Sequence, residues 1–108
     1  MPTTGAYLFK RAPLSVDGCI PTDHLERIES GTWAWVKVED YGWILYLGCP
    51  DCGHFGCLWD RNHGHDIDAA GNVNPSVLHS WKNEGVEQCG FHTQPTRLLD
   101  FVDKRGTL

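Results

Sequence analysis

Apolar positions in this chain come in short runs broken by turn residues, the pattern of a small sheet rather than of long helices. Tyr7-Leu8-Phe9-Lys10 reads as a first strand, ended or held at an edge by Pro13. Asp23, with Glu26 three residues on, has the form of a helix N-cap. With Leu25 and Ile28 facing inward and Gly31 as the stop, the spacing predicts a two-turn helix over 23–30. Residues 32–38 and 43–47 are rich in β-formers and predict an antiparallel hairpin about a connection at 39–42. The second of these runs is apolar on both faces, which predicts a central, buried strand. It leads directly into Cys49, and 54–59 would be the outgoing strand.

The remainder is more broken. Residues 61–66 are polar and read as a loop, His65-Asp66-Ile67 begins another strand, and 69–72 is a turn. Residues 73–78 follow, with Pro75 barred from a central ladder position. Residues 81–85 read as a loop leading through Val86 to Cys89. The apolar spacing of 96–102 fits a strand or a short helix, and 103–108 is read as a polar, frayed tail. The predicted fold class is mostly β (small α+β): an antiparallel sheet with zinc-ribbon-like knuckles and one short helix. It is read as a single domain over 1–108, with an N-terminal part at 1–40 and a ribbon-like part at 41–102.

A chain of 108 residues can bury only a thin core, so an added staple is expected. Five Trp (Trp33, Trp35, Trp43, Trp59 and Trp81) are read as core or rim anchors. The net charge of −5 and the scattered Lys and Arg disfavour a sequence-independent grip on nucleic acid. Residues 1–15 do not form a signal peptide and no run is long enough to span a membrane, so the expected setting is cytoplasmic. An odd count of five Cys without a secretory signal favours metal binding over disulfides.

The candidate chemistry lies in two half-sites, Cys49-x-x-Cys52 and Cys89-x-x-His92, both followed or flanked by glycine. Tight turns on this spacing aim two donors at one point, and two such turns make a four-coordinate site suited to Zn2+. A redox-active pair at Cys49/Cys52 would need a βαβ setting that the pattern does not supply. The 36 residues between the half-sites mean that the ion would join distant strands. Cys57 could replace His92 in an all-cysteine site, and Cys19 is read as a buried or free thiol. His54 is undecided, and His63-x-His65 would share one face of a strand and hold a second metal, against the alternative of a solvated loop. Four protein donors favour a structural ion; were a position open, His65, Asp66 and Ser76 would be the candidate catalytic residues beside it.

The order Cys49-Pro50-Asp51-Cys52-Gly53, then His65 through Gly71 to Pro75-Ser76-Val77, then Cys89-Gly90-Phe91-His92 resembles a family of small zinc-ribbon-like phage and prophage proteins. The resemblance covers about residues 45–102. It implies a phage-encoded accessory protein that meets a host protein, working in the host cytoplasm. A more distant likeness, to zinc peptidases of bacterial ubiquitin-like operons, implies Ser76 and Asp66 beside the metal, although the chain lacks the H-E-x-x-H motif that supplies a glutamate base. The leading expectation is a zinc-stabilised, non-enzymatic protein-binding module. Its rivals are a zinc hydrolase and a nucleic-acid-binding ribbon.

Overall fold

The computed structural model describes residues 5–79, 82–87 and 89–105. The chain runs β1 (Tyr7–Arg11), a 3-10 helix (Thr22–Arg27), β2 (Thr32–Val38), β3 (Gly42–Gly48), β4 (Phe55–Trp59), β5 (Asp66–Ile67) and β6 (Asn72–Asn74). It continues through β7 (Val77–His79), β8 (Lys82–Asn83), β9 (Val86–Glu87), β10 (Phe91–Thr93) and β11 (Thr96–Leu98). Seven strands form one sheet in the order β4-β3-β2-β1-β11-β6-β5, while β7 pairs only with β10 and β8 only with β9. The expected mostly-β fold is therefore present. The sheet is mixed, because β1 runs parallel to both β2 and β11.

The seven-stranded sheet curls back on itself. Trp59 bridges Gly64, and the His65 N–H donates to the Leu58 carbonyl at 3.2 Å. Residues 64 and 65 lead straight into β5, so the two ends of the sheet meet at this point. Phe9, Trp33, Trp35, Leu45, Leu58, Val73 and Leu98 fill the interior. The Trp-Ala-Trp alternation of β2 explains how both of its faces are covered. Trp33 and Trp35 point inward, and Ala34 points outward beneath Ala12 and Ile28 beside the helix.

Three expectations are corrected. The helix predicted over 23–30 is a 3-10 helix at Thr22–Arg27. Pro21 occupies its cap position and no side chain caps it, so Asp23 falls within the first turn; none of the helix's own residues is buried. Residues 82–87, read in part as a loop, form the β8–β9 hairpin, with Glu84 and Gly85 in the left-handed region. Residues 103–105, the described part of the segment expected to fray, are held in place, as is the stretch between them and β11. The Trp33 and Trp35 indole N–H groups donate to the Leu99 and Val102 carbonyls at 2.8 and 2.6 Å. Lys104 pairs with Asp17 at 2.9 Å, and Arg105 donates to the Ile67 carbonyl at 2.7 Å. The segment between β11 and the tail thus supplies acceptors for both of these buried indoles. Residues 106–108 and Trp81 lie outside the described residues.

The strand alternative for residues 96–102 is realised at Thr96–Leu98, and Pro75 sits between β6 and β7 rather than inside a ladder. Trp33 and Trp35 are fully buried, and Trp43 and Trp59 are half-buried. Among the described residues, no helix is long and apolar enough to cross a membrane.

Acid should weaken this fold through carboxylates whose pKa folding lowers. Asp68 accepts from the Asn72 side chain at 3.0 Å and from the Asn72 and Ala70 N–H groups at 2.9 Å, which hold its carboxyl below the ordinary value of 3.8. Asp103 is lowered by its hydrogen bonds from Arg105. A depressed folded pKa gives a contribution that is complete above the ordinary carboxylate range and is lost as pH falls through the folded value. Urea melts should therefore show Asp68→Ala less stable than wild type near about pH 6, with the two converging near about pH 2.

Candidate metal centre

The first pair of donors comes from the turn that follows β3. The Cys49 N–H donates to the His54 carbonyl at 2.9 Å, and the Gly53 N–H donates to the Cys49 carbonyl at 3.0 Å. Gly53 has φ +78°, a conformation that only glycine adopts without strain. These constraints fold residues 49–54 into the strand–turn–strand knuckle expected of the Cys49-x-x-Cys52 spacing. Gly48 is required for a different reason. A Cβ there would stand 2.1 Å from the Glu29 carbonyl, and the Gly31 N–H donates to the Gly48 carbonyl at 2.8 Å. The segment after the 3-10 helix thus lies tight against the start of the turn.

The second pair comes from the two-stranded sheet. In the antiparallel register of β7 and β10, His79 is opposite Phe91, Leu78 opposite His92, and Val77 opposite Thr93. Val77, Phe91 and Thr93 are buried, whereas Leu78 and His92 are exposed. Side chains alternate across a strand, so His79 shares the inward face with Val77 and Phe91. Cys89, two residues before Phe91, is also buried.

Cys49, Cys52, His79 and Cys89 converge, and their ligand atoms all lie within 4.8 Å of one another. The Cys49 and Cys89 sulfurs are 3.5 Å apart, and the Cys52 sulfur is 3.4 Å from His79 Nδ1. Around a tetrahedral ion with metal–sulfur bonds of about 2.3 Å, neighbouring donors would be separated by roughly 3.5–3.8 Å. The four residues therefore can hold a metal ion with small adjustments. Among the described residues this is the only such group of three or more His, Cys, Asp or Glu.

The local electrostatics suit that role. Burial pushes the Cys49 thiol up to about 12 and also raises Cys89, so a cation taking up these sulfurs must displace their protons. Burial lowers the His79 pKa, which favours the neutral imidazole a metal requires. A hydrogen bond with the Phe55 backbone opposes that shift and orients the ring, as outer partners of ligating histidines do. The ring rests on Gly56, where a Cβ would come within 2.8 Å of His79 Cδ2.

The fourth donor is thus His79, where the sequence reading expects His92. His92 is one residue out of phase with the inward face; it is exposed, and its Nε2 lies 3.1 Å from Ser76 Oγ. No short spacing points to His79, ten positions before Cys89. The signal that could have found it is its shared phase with Val77, which carries weight only once β7 is paired with β10. Cys57 is also outside the cluster: it is exposed, and its thiol donates to the Asp60 carboxylate at 3.8 Å. His54 flanks the site, close enough to influence His79, without being one of the four donors.

The remaining candidates are not gathered at the metal group. His63 is at the surface, 3.3 Å from Asp60, and His65 Nδ1 lies 3.2 Å from the Leu58 carbonyl. His63, His65 and Asp66 border an open cleft of about 450 Å³, while Ser76 is engaged with His92. Compared with known proteins, the chain matches no family model, no curated protein and no solved structure.

Replacing the two histidines separates the two possible fourth donors. His79→Ala should weaken metal binding by more than about 100-fold, and His92→Ala by less than about threefold, in competition titrations against a chromogenic chelator. Gly56→Ala, which must move the His79 ring, should cost about 10–100-fold in the same assay.

Proposed function

We propose that this chain is a small protein-binding module clasped by one structural Zn2+. The observation that carries the reading is the convergence of three thiols and one imidazole within 4.8 Å. Soft sulfur donors with one nitrogen in a tetrahedral array suit zinc, and four protein donors leave no position for a reacting water. A hydrolytic role would need that open position. A structural zinc of this type contributes on the order of 10 kcal/mol to folding a small domain.

Protein binding is supported by the exposed apolar side chains. Leu78 and Val86, each 62% exposed, lie on β7 and β9 in the segment that leads from Asn74 to Cys89. Leu14 and Val16 are exposed at 87% and 79%. The net charge of −5 favours a protein partner over nucleic acid. The resemblance to phage and prophage proteins extends the proposal to a phage-encoded modulator of a host or defence protein in the host cytoplasm.

Elemental analysis should find close to one zinc per chain, and chelation should lower the melting temperature by tens of degrees, or about 10 kcal/mol of stability. The zinc-loaded chain on beads should then enrich a discrete host protein that a Leu78→Glu/Val86→Glu variant, still zinc-loaded and folded, does not. Enrichment unaffected by both changes would remove the assigned surface, and a chain that folds equally without metal would remove the clasp.

A further inference from the structure

We propose that a second docking point lies at the 3-10 helix, where an apolar cavity takes one large side chain of a partner peptide segment and Arg27 takes a carboxylate next to it in that segment. The cavity measures about 130 Å³ and is walled by Ala12, Pro13, Leu14, Ile20 and Ile28. An apolar cavity of about 150 Å³ accepts a benzene molecule, so this one has room for a single leucine- or phenylalanine-sized group.

The walls are fixed before anything enters. The Ala12 N–H donates to the Trp33 carbonyl at 3.0 Å and the Ile20 N–H to the Trp35 carbonyl at 2.9 Å, which ties both to β2. The Ser15 hydroxyl closes the turn after Ala12 by donating to the Ala12 carbonyl at 2.6 Å. Ala12 and Ile28 are buried and make the floor, while the exposed Leu14 stands at the rim.

The 3-10 helix decides the charge at the mouth. Side chains three residues apart eclipse on such a helix, so its positions sort into rows. His24 and Arg27 form one row, and both border the cavity. Asp23 and Glu26 form another, and Glu26 borders a separate cleft with Cys52 and His54. Glu29, beyond the helix, also lines the cavity. Within the described residues no ion pair or hydrogen bond engages the side chains of His24, Arg27 or Glu29. A free guanidinium at an apolar hollow fits an occupant with a carboxylate beside its apolar group, and the Glu29 carboxylate fits an N–H donor. A peptide offers all three features; a fatty or aromatic acid lacks the donor. The site rests on the protein-binding reading and not on the metal, since none of the four donors lines the cavity.

The test titrates the full chain with the blocked peptide acetyl-Gly-Leu-Glu-Gly-amide and follows backbone amide shifts by NMR. The shifts should centre on Leu14, Ile20 and Ile28. Alanine in place of the peptide's leucine should weaken binding at least about tenfold, as loss of a buried leucine side chain does. Glutamine in place of its glutamate should cost about threefold, as loss of an exposed ion pair does. Arg27→Gln, a change at an exposed and unpaired side chain, should abolish the preference for glutamate and keep that for leucine. Shifts centred elsewhere, equal binding of the alanine peptide, or a glutamate preference that is absent or survives Arg27→Gln would overturn the proposal. Bead capture through Leu78 and Val86 is read separately. Capture with no peptide bound at this cavity removes only this site, and peptide bound here with no capture removes only the β7–β9 surface.

Discussion

The fold depends on one junction between two sheets that share no ladder. The seven-stranded sheet supplies Cys49 and Cys52 from the β3–β4 turn, and the β7–β10 pair supplies His79 and Cys89. Three residues per strand in a two-stranded sheet cannot sustain themselves in water. That pair is held by what it packs on and by what it can bind. Phe91 packs edge-on against Tyr7 and Phe9, with ring centroids 5.6 and 5.9 Å apart, and the donor cluster lies beside this contact. A cation drawing the four donors together would fasten the small sheet to the large one at a point where hydrophobic area alone is thin.

The rest of the structure shows the same economy of core. The sheet closes on itself through Trp59 and Gly64, and the segment after β11 lies across the indoles of Trp33 and Trp35. Phe101 sets its ring 5.6 Å from Trp33 and 6.2 Å from Trp35, so this segment contributes apolar contact as well as acceptors. Trp33 and Trp35, the most deeply buried of the described indoles, both find acceptors for their N–H groups. Backbone carbonyls of Leu99 and Val102 serve, and the charged residues just beyond are held by the Lys104–Asp17 pair and the bond from Arg105 to the Ile67 carbonyl.

Much of this was legible from local pattern. The β2–β3 hairpin follows from two runs of β-formers, and the knuckle at 49–53 follows from the cysteine spacing and the glycines around it. These features are determined within a few residues, where turn chemistry and side-chain alternation suffice. The 3-10 helix was misread because Pro21 occupies the cap and packing, rather than propensity, shapes so short a segment. Spacing rules see donors only within one turn, so they point to His92 and give no weight to His79.

Sequence alone therefore determined the class of fold, the strands that carry its centre, and three of the four residues that converge. Tertiary structure decided the fourth. A one-residue difference in phase on paired strands sends His79 inward and His92 to solvent, and that phase has no meaning until β7 and β10 are set side by side. The curl of the sheet and the ordering of the tail were decided at the same level. Each depends on contacts between residues far apart in the chain, whose energies no local pattern records.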